Sequence, residues 1–346
     1  MNERNYAIDF IRLFAILGVV VIHVSTAFID RAVPFSVNFY IYNLINQLTR
    51  FSVPLFFLIS GFLLASKYDN ITSPINFYKR RLDKILIPYF FWSLFYYLFI
   101  FKNPVSHLFT KGFLNNLYTG DTSYQLYFIP AIIVLYLLFP FIIYFKKYLL
   151  TKWFIVLLLI FTAVLLTNTY YQNINIPIDT PFRLAFYNLL PFLVGIYAAI
   201  RIKNLNIFIK NMIIPFIISA FIFGFTVFGE STYMFSKTHI DDYLRNQWRI
   251  SVLLYGISLA PILYYFYPTL LRKYEKTIYY FSGFALGVFF VHVAILNFLL
   301  EVIDNYKLYS FPYFILTLII ITTLSFVFSI ALSRIKFLNR ILGLRG

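Results

Sequence analysis

Ten apolar runs, each long enough to cross a bilayer, occupy most of this 346-residue chain and leave little that could fold in water. A hydrocarbon core about 30 Å thick is crossed by a helix of about 20 residues. The runs fall at residues 7–28, 45–66, 85–101, 126–145, 153–171, 182–200, 212–229, 249–267, 279–300 and 312–333. Inside lipid, backbone N–H and C=O groups have no water to bond, and helices satisfy them internally. The expectation is an all-α, polytopic integral membrane protein with about ten transmembrane helices. Composition agrees, with 61% hydrophobic and 12% charged residues and a mean hydropathy of +0.79, which excludes a water-soluble globule.

The net charge of +16 need not mean nucleic acid, and no nucleic-acid partner is expected. Placed on the ten runs, the cations separate by side, as the positive-inside rule requires of a plasma-membrane protein. Nineteen of the 29 Lys and Arg fall on one side, from Arg4 through the 79–84 and 146–152 segments to Arg334, Lys336, Arg340 and Arg345. Six, among them Arg31, Arg245 and Lys307, fall on the other. Both termini are therefore expected in the cytoplasm. The basic start and apolar core at the N-terminus resemble a signal peptide, but Asp9 and Arg12 interrupt that core and nine further runs follow, so a retained helix is expected. The longest external segments, 102–125 and 230–248, are too short to form domains of their own. Residues 1–346 thus read as one transmembrane domain with no appended soluble domain.

With no cysteine, the chain has no disulfide and no thiolate nucleophile, and its four histidines lack metal-ligand spacing. No metal and no permanently bound cofactor are expected. Ionisable groups inside a span are costly and mark functional sites by default, which directs attention to Arg12 and His23 in the first run. Eleven helical residues make three turns plus about 20°, so both project from one face, about 16 Å apart along the axis. Asp9, three residues before Arg12, is placed to pair with it.

Several segments, in order along the chain, carry a resemblance. Residues 7–23, with Arg12 and His23 separated by ten residues, resemble the first helix of the bacterial membrane acyltransferase-3 family, whose mark is that spacing. Arg50-Phe-Ser-Val-Pro-Leu-Phe-Phe-Leu-Ile-Ser-Gly-Phe-Leu-Leu64 is similar to the family's second helix, and Tyr78-Lys-Arg-Arg-Leu-Asp-Lys-Ile-Leu-Ile-Pro-Tyr89 to the basic entry of its third. Gln125-Leu-Tyr-Phe-Ile-Pro130 resembles the entry of the fourth, with Tyr127 in place of tryptophan. Residues 281–292 resemble a late helix ending in a histidine, with Phe290 where tyrosine is common.

The resemblance implies transfer of an acyl group, usually acetyl, from cytoplasmic acyl-CoA to a hydroxyl of a cell-surface glycan or its lipid-linked precursor. His23 is then the candidate general base, because an imidazole titrates at about pH 6.5 in isolation and is tuned by its surroundings. Arg12 either grips the polar part of acyl-CoA or is held by Asp9, and its five N–H donors allow both. Lys79, Arg80, Arg81 and Lys84 either meet the phosphates of CoA or anchor the helix to anionic lipid. Arg50 either stabilises a developing oxyanion or snorkels outward. Ser60 and Gly61 let helices approach closely, and no nucleophile elbow surrounds Ser60. His292 either shares the cavity of His23 or makes a structural hydrogen bond. His107 and His239 read as solvated, and Arg183, Arg245 and Arg249, at predicted outer helix ends, either bind an anionic acceptor or, as favoured, meet lipid headgroups.

A second reading is an exporter or flippase of a polysaccharide or lipid-linked sugar, since the family includes the intercellular-adhesion polysaccharide protein. The concentration of intramembrane charge near the first two helices favours chemistry over a conduit, which would spread polar groups across several helices. Without an appended soluble transferase domain, the chain would acylate the glycan directly or relay the acyl group to a partner in glycan synthesis.

Overall fold

The computed structural model describes residues 5–68, 70–171, 179–335, 339 and 341–343. Arg4, Lys336, Arg340 and Arg345 of the charge count, and the side chain of His107, lie outside the described residues. The described elements are helical: α1 (Tyr6–Ile29), α2 (Val37–Thr49), α3 (Ser52–Lys67), α4 (Pro74–Phe95), α5 (Lys111–Thr119), α6 (Phe128–Tyr144), α7 (Lys146–Leu149), α8 (Lys152–Tyr171), α9 (Thr180–Tyr187), α10 (Leu189–Arg201), α11 (Leu205–Thr238), α12 (Asp242–Arg245), α13 (Ile250–Leu271), α14 (Glu275–Ser282), α15 (Ala285–Asn305) and α16 (Phe311–Ser333). Local chemistry marks several starts. Asn5, Ser36, Ser73 and Asn204 each accept a first-turn backbone N–H, satisfying donors that have no intrahelical partner.

Seven helical stretches are long and apolar enough to cross a membrane, and eight if α9 and α10, bent by 49° at Asn188, make one span. The predicted segment 85–101 lies in α4 and the π-helical turn Tyr96–Ile100 that continues it. Segment 126–145 becomes α6, with 17 residues. Two predicted continuous spans are interrupted. The 45–66 run is divided at Arg50–Phe51 between α2 and α3, and the 279–300 run at Gly283–Phe284 between α14 and α15. Helix α11 has 34 residues, about 51 Å at 1.5 Å per residue, so it occupies part of the 230–248 segment expected to be a loop.

Apolar side chains cover the outside of this protein as well as filling its core. The span of α1 is 61% buried and packs against α2, α3, α13, α14, α15 and α16, whereas α8 and α11 are only 17% buried. The outer helices turn Phe161, Phe221 and Phe225 outward, as lipid as solvent requires. Polar groups go inside: Asp9, Asn43, Asn46, Gln47, Arg50, Arg249 and His292 are all buried. Two apolar clusters flank α1. One joins it to α15 and α16, and the other joins α3, α6 and α10.

The tightest crossing is α3 on α10. A Cβ on Gly61 would meet the Phe192 carbonyl oxygen at 2.1 Å, and one on Gly195 the Leu58 oxygen at 2.0 Å. Small residues permit such backbone approach in lipid, where helix association depends on close packing. Of the Ser60–Gly61 pair expected to let helices approach closely, Gly61 makes that contact. Gly195→Ala should therefore lower stability in detergent by about 1–3 kcal/mol, the cost of overpacking. Gly229→Ala, whose added carbon meets nothing within 4 Å, should leave the melting temperature unchanged or slightly raised. Thermal unfolding of the two variants, side by side, checks this.

Candidate functional site

The polar face of α1 organises the centre of the molecule. Arg12 NH1 donates to Asp9 Oδ1 at 3.3 Å, and the Ser282 hydroxyl donates to the same oxygen at 3.3 Å. The carboxylate thus ties α1 to α14. Three turns further on, His23 is half-buried. Arg12 and His23 line one cavity, of about 190 Å³, together with Ser60 of α3, Gln125, Tyr136 of α6 and a largely apolar wall that includes Val19, Val53, Phe56, Ile132 and Phe289. Tyr136 stands beside Ser60 and within electrostatic reach of Arg12 and Arg81.

A second cavity, of about 390 Å³, also has His23 in its wall. Its walls are richer in polar groups, including Thr26, Asp30, Arg31, Arg50, Tyr124, Arg245, Gln247 and Asn297. Four residues, Val19, His23, Val53 and Tyr127, belong to the walls of both cavities. Of these four only His23 carries an imidazole, so a group in either cavity meets the same ring.

The rim of the larger cavity is fixed by ion pairs. Arg31 forks onto Asp304 through Nε at 2.5 Å and NH2 at 2.7 Å, a bidentate geometry that guanidinium provides. Arg245 NH2 lies 2.6 Å from Asp30 Oδ1. Burial pushes the Asp30 carboxyl above its ordinary range, while the Arg245 guanidinium pulls it back down.

Arg50 reaches this cavity from the break between α2 and α3. Its NH1 donates to the Arg245 carbonyl at 2.7 Å, and its NH2 donates to the Leu244 carbonyl and to Asn46 Oδ1, both at 2.7 Å. Arg50 is buried rather than snorkelling to the surface, and its terminal N–H groups hold the α12 turn. Asn46 in turn donates to the Ile22 carbonyl, Ser25 and Thr26, each at 2.9 Å, the backbone and side chains that flank His23.

The network extends through Gln47, which donates to Asn43 Oδ1 at 3.0 Å and to the Leu244 carbonyl at 2.9 Å. Gln47 also accepts from Arg249. The headgroup reading of Arg249 is overturned: its side chain is 2% exposed, donates to the Val227 carbonyl at 2.8 Å, lies 3.7 Å from Glu230 and stacks its guanidinium 5.3 Å from the Tyr170 ring centre. Arg245, at the end of α12, lies on the cavity rim. Sequence reasoning missed Asn43, Asn46 and Gln47, though with Arg50 they form a polar stripe at helical spacing through α2 that marks a buried polar seam.

The segment before α6 also enters the site. The Tyr124 ring centre lies 4.9 Å from that of His23, and Tyr127 accepts from Gln247. On the opposite helix, His292 is fully buried and its ring centre lies 5.2 Å from that of His23. The structure thus brings Arg12, His23, Ser60, Arg50 and His292 into one region, with Asp9 beneath Arg12. Among the described residues, no group of three or more His, Asp or Glu is arranged to hold a metal ion.

The basic cluster stands apart. Lys79, Arg80 and Lys84 are exposed on α4, and Arg81 is half-buried with its guanidinium 5.3 Å from the Tyr68 ring centre. None of the four is among the wall residues of the smaller cavity, but Ile85, the next residue after Lys84, is. The cluster therefore flanks the cavity without lining it.

Comparison with curated proteins and with solved structures returns no significant match. The family profile described as an acyltransferase domain matches residues 5–333, which takes in both cavities and every described helix. The chain belongs to the membrane acyltransferase-3 family and is an acyltransferase.

Proposed function

We propose that this protein moves an acyl group, acetyl, from cytoplasmic acyl-CoA to a hydroxyl of an extracytoplasmic cell-surface glycan or its lipid-linked precursor, in the plasma membrane of a bacterium. The observation that carries this reading is the place of His23 on the walls of two cavities. Acyl transfer needs a thioester and a hydroxyl brought together at a base, in a dry setting where the thioester survives hydrolysis. The smaller, more apolar cavity suits the acyl end of the donor. The larger cavity, with its hydroxyl, amide and guanidinium groups, suits a sugar.

In this reading the thioester carbonyl sits in the Arg12 cavity and the sugar hydroxyl enters past Tyr124. His23 takes the hydroxyl proton as the oxygen attacks the carbonyl carbon. The tetrahedral intermediate carries an oxyanion, and Arg50 stabilises it through its field, because its terminal N–H groups are held by carbonyls and Asn46. Collapse breaks the C–S bond, and His23 returns the proton to the departing sulfur. Arg12 grips the polar arm of the donor while Asp9 fixes its guanidinium. Arg81, with Lys79, Arg80 and Lys84 at the flank of the cavity, meets the phosphates of CoA. Both termini then face the cytoplasm, where acyl-CoA is made. The family match does not favour the exporter alternative.

The test is transfer of radiolabelled acetyl from acetyl-CoA, on the Arg12 side of proteoliposomes, to cell-wall carbohydrate on the other side. His23→Ala should lower kcat by about 10²- to 10⁴-fold, the contribution of a general base, with acetyl-CoA binding retained. Turnover at the wild-type rate would remove His23 from that role. In the same assay Arg81→Ala should raise the KM for acetyl-CoA about tenfold, the loss of one charge-assisted contact of about 1.4 kcal/mol, and leave kcat unchanged. An unchanged KM would assign the cluster to lipid anchoring.

A further inference from the structure

A general base works through one ring nitrogen, and its other nitrogen must be held so that the lone pair faces the substrate. Within α15, His292 Nδ1 lies 2.8 Å from the carbonyl oxygen of Val288. A carbonyl only accepts, so Nδ1 carries the proton, and in the neutral ring Nε2 is left as a bare acceptor. That Nε2 is buried and has no hydrogen-bond partner. A buried acceptor without a donor is a costly feature that calls for an explanation.

The donor is at hand. The rings of His23 and His292 are 5.2 Å apart between centres and tilted by 35°. At this separation, two imidazoles that turn nitrogens toward each other bring them to about 3 Å, within hydrogen-bond range. Tyr124, packed 4.9 Å from His23, limits where the imidazole can move.

We infer that His292 is the positioning residue for His23: its Nε2 accepts the His23 ring N–H, leaving the other His23 nitrogen bare and directed at the acceptor hydroxyl. This inference rests on His23 being the base. When His23 takes the hydroxyl proton and the new C–O bond forms, both of its nitrogens carry hydrogen, and the bond to His292 becomes charge-assisted and stronger. When the C–S bond breaks, His23 gives the gained proton to sulfur and returns to its starting tautomer. His292 keeps its own proton throughout. It holds the place that a carboxylate holds in other base–orienter pairs, without adding a negative charge to an apolar helix interface.

The substitutions that separate this role from packing are a matched pair. In the proteoliposome assay, His292→Asn keeps a polar group near Nδ1 but has nothing at Nε2, whereas His292→Gln places an amide oxygen near the Nε2 position. His292→Asn should lower kcat at least tenfold with KM for both substrates unchanged, and His292→Gln should recover most of the loss. Wild-type kcat in the Asn variant, or a Gln variant no better than Asn when both are folded, overturns the inference.

A second measurement needs neither turnover nor a foldable variant at 292. With four histidines in the chain, 15N-histidine spectra of the wild-type protein can be assigned. The expected result is His292 protonated at Nδ1 with a hydrogen-bonded Nε2, whose resonance moves when His23→Ala removes the donor. An Nε2–H tautomer, or a resonance indifferent to His23→Ala, overturns the inference. Absence of acetyl transfer by folded wild-type protein would instead bring down the base assignment, leaving the 15N result to stand on its own.

Discussion

Arg50 is the constraint on which much of the rest depends. A buried cation in a bundle surrounded by lipid has to be held by oriented acceptors, because neither lipid nor bulk water can solvate it. Here the acceptors are the Leu244 and Arg245 carbonyls and Asn46. Satisfying Arg50 therefore pulls the turn before α13 down onto the break between α2 and α3. Asn46 uses its amide to hold the α1 turn around Ile22, Ser25 and Thr26. His23 lies inside that clamped turn. One guanidinium thus fixes the walls of the larger cavity and the helix that carries the imidazole.

A second consequence is electrostatic. Arg249 balances its charge against Glu230 and the Tyr170 ring, and Arg31 and Arg245 are matched at the rim by Asp304 and Asp30. Arg50 is bonded to neutral acceptors. The larger cavity consequently keeps one buried positive charge on a wall it shares with His23, where the proposed acyl transfer would develop negative charge. Preorganised charge of this kind is the strongest single contribution available to such a reaction.

Much of the architecture was legible in the sequence because apolar length reports directly on lipid crossing. The shared face of Arg12 and His23 was legible too, since helical geometry alone brings eleven residues back to one side. Breaks in helices were not. A hydropathy window averages over Arg50–Phe51 and Gly283–Phe284, so it does not register the helix breaks there. Helix α11 outran its predicted end because Glu230 and Ser231 face the buried network rather than water. Arg249 looked like a headgroup ligand for the same reason: sequence gives its distance from the end of an apolar run but not the Gln47 and Glu230 that wait for it. Tyr124 belongs to the segment 102–125 expected outside the spans, and only the folded chain returns it to His23.

The central claim is that the two cavities meet at His23. The chain contains no cysteine, so His23→Cys introduces a single thiol for labelling in proteoliposomes. A membrane-impermeant anionic thiol reagent applied on the Asp30 side should modify Cys at position 23, and acetyl-CoA supplied on the Arg12 side should slow that modification. A thiol that no reagent reaches, or one labelled at the same rate with and without acetyl-CoA across the membrane, would contradict the account.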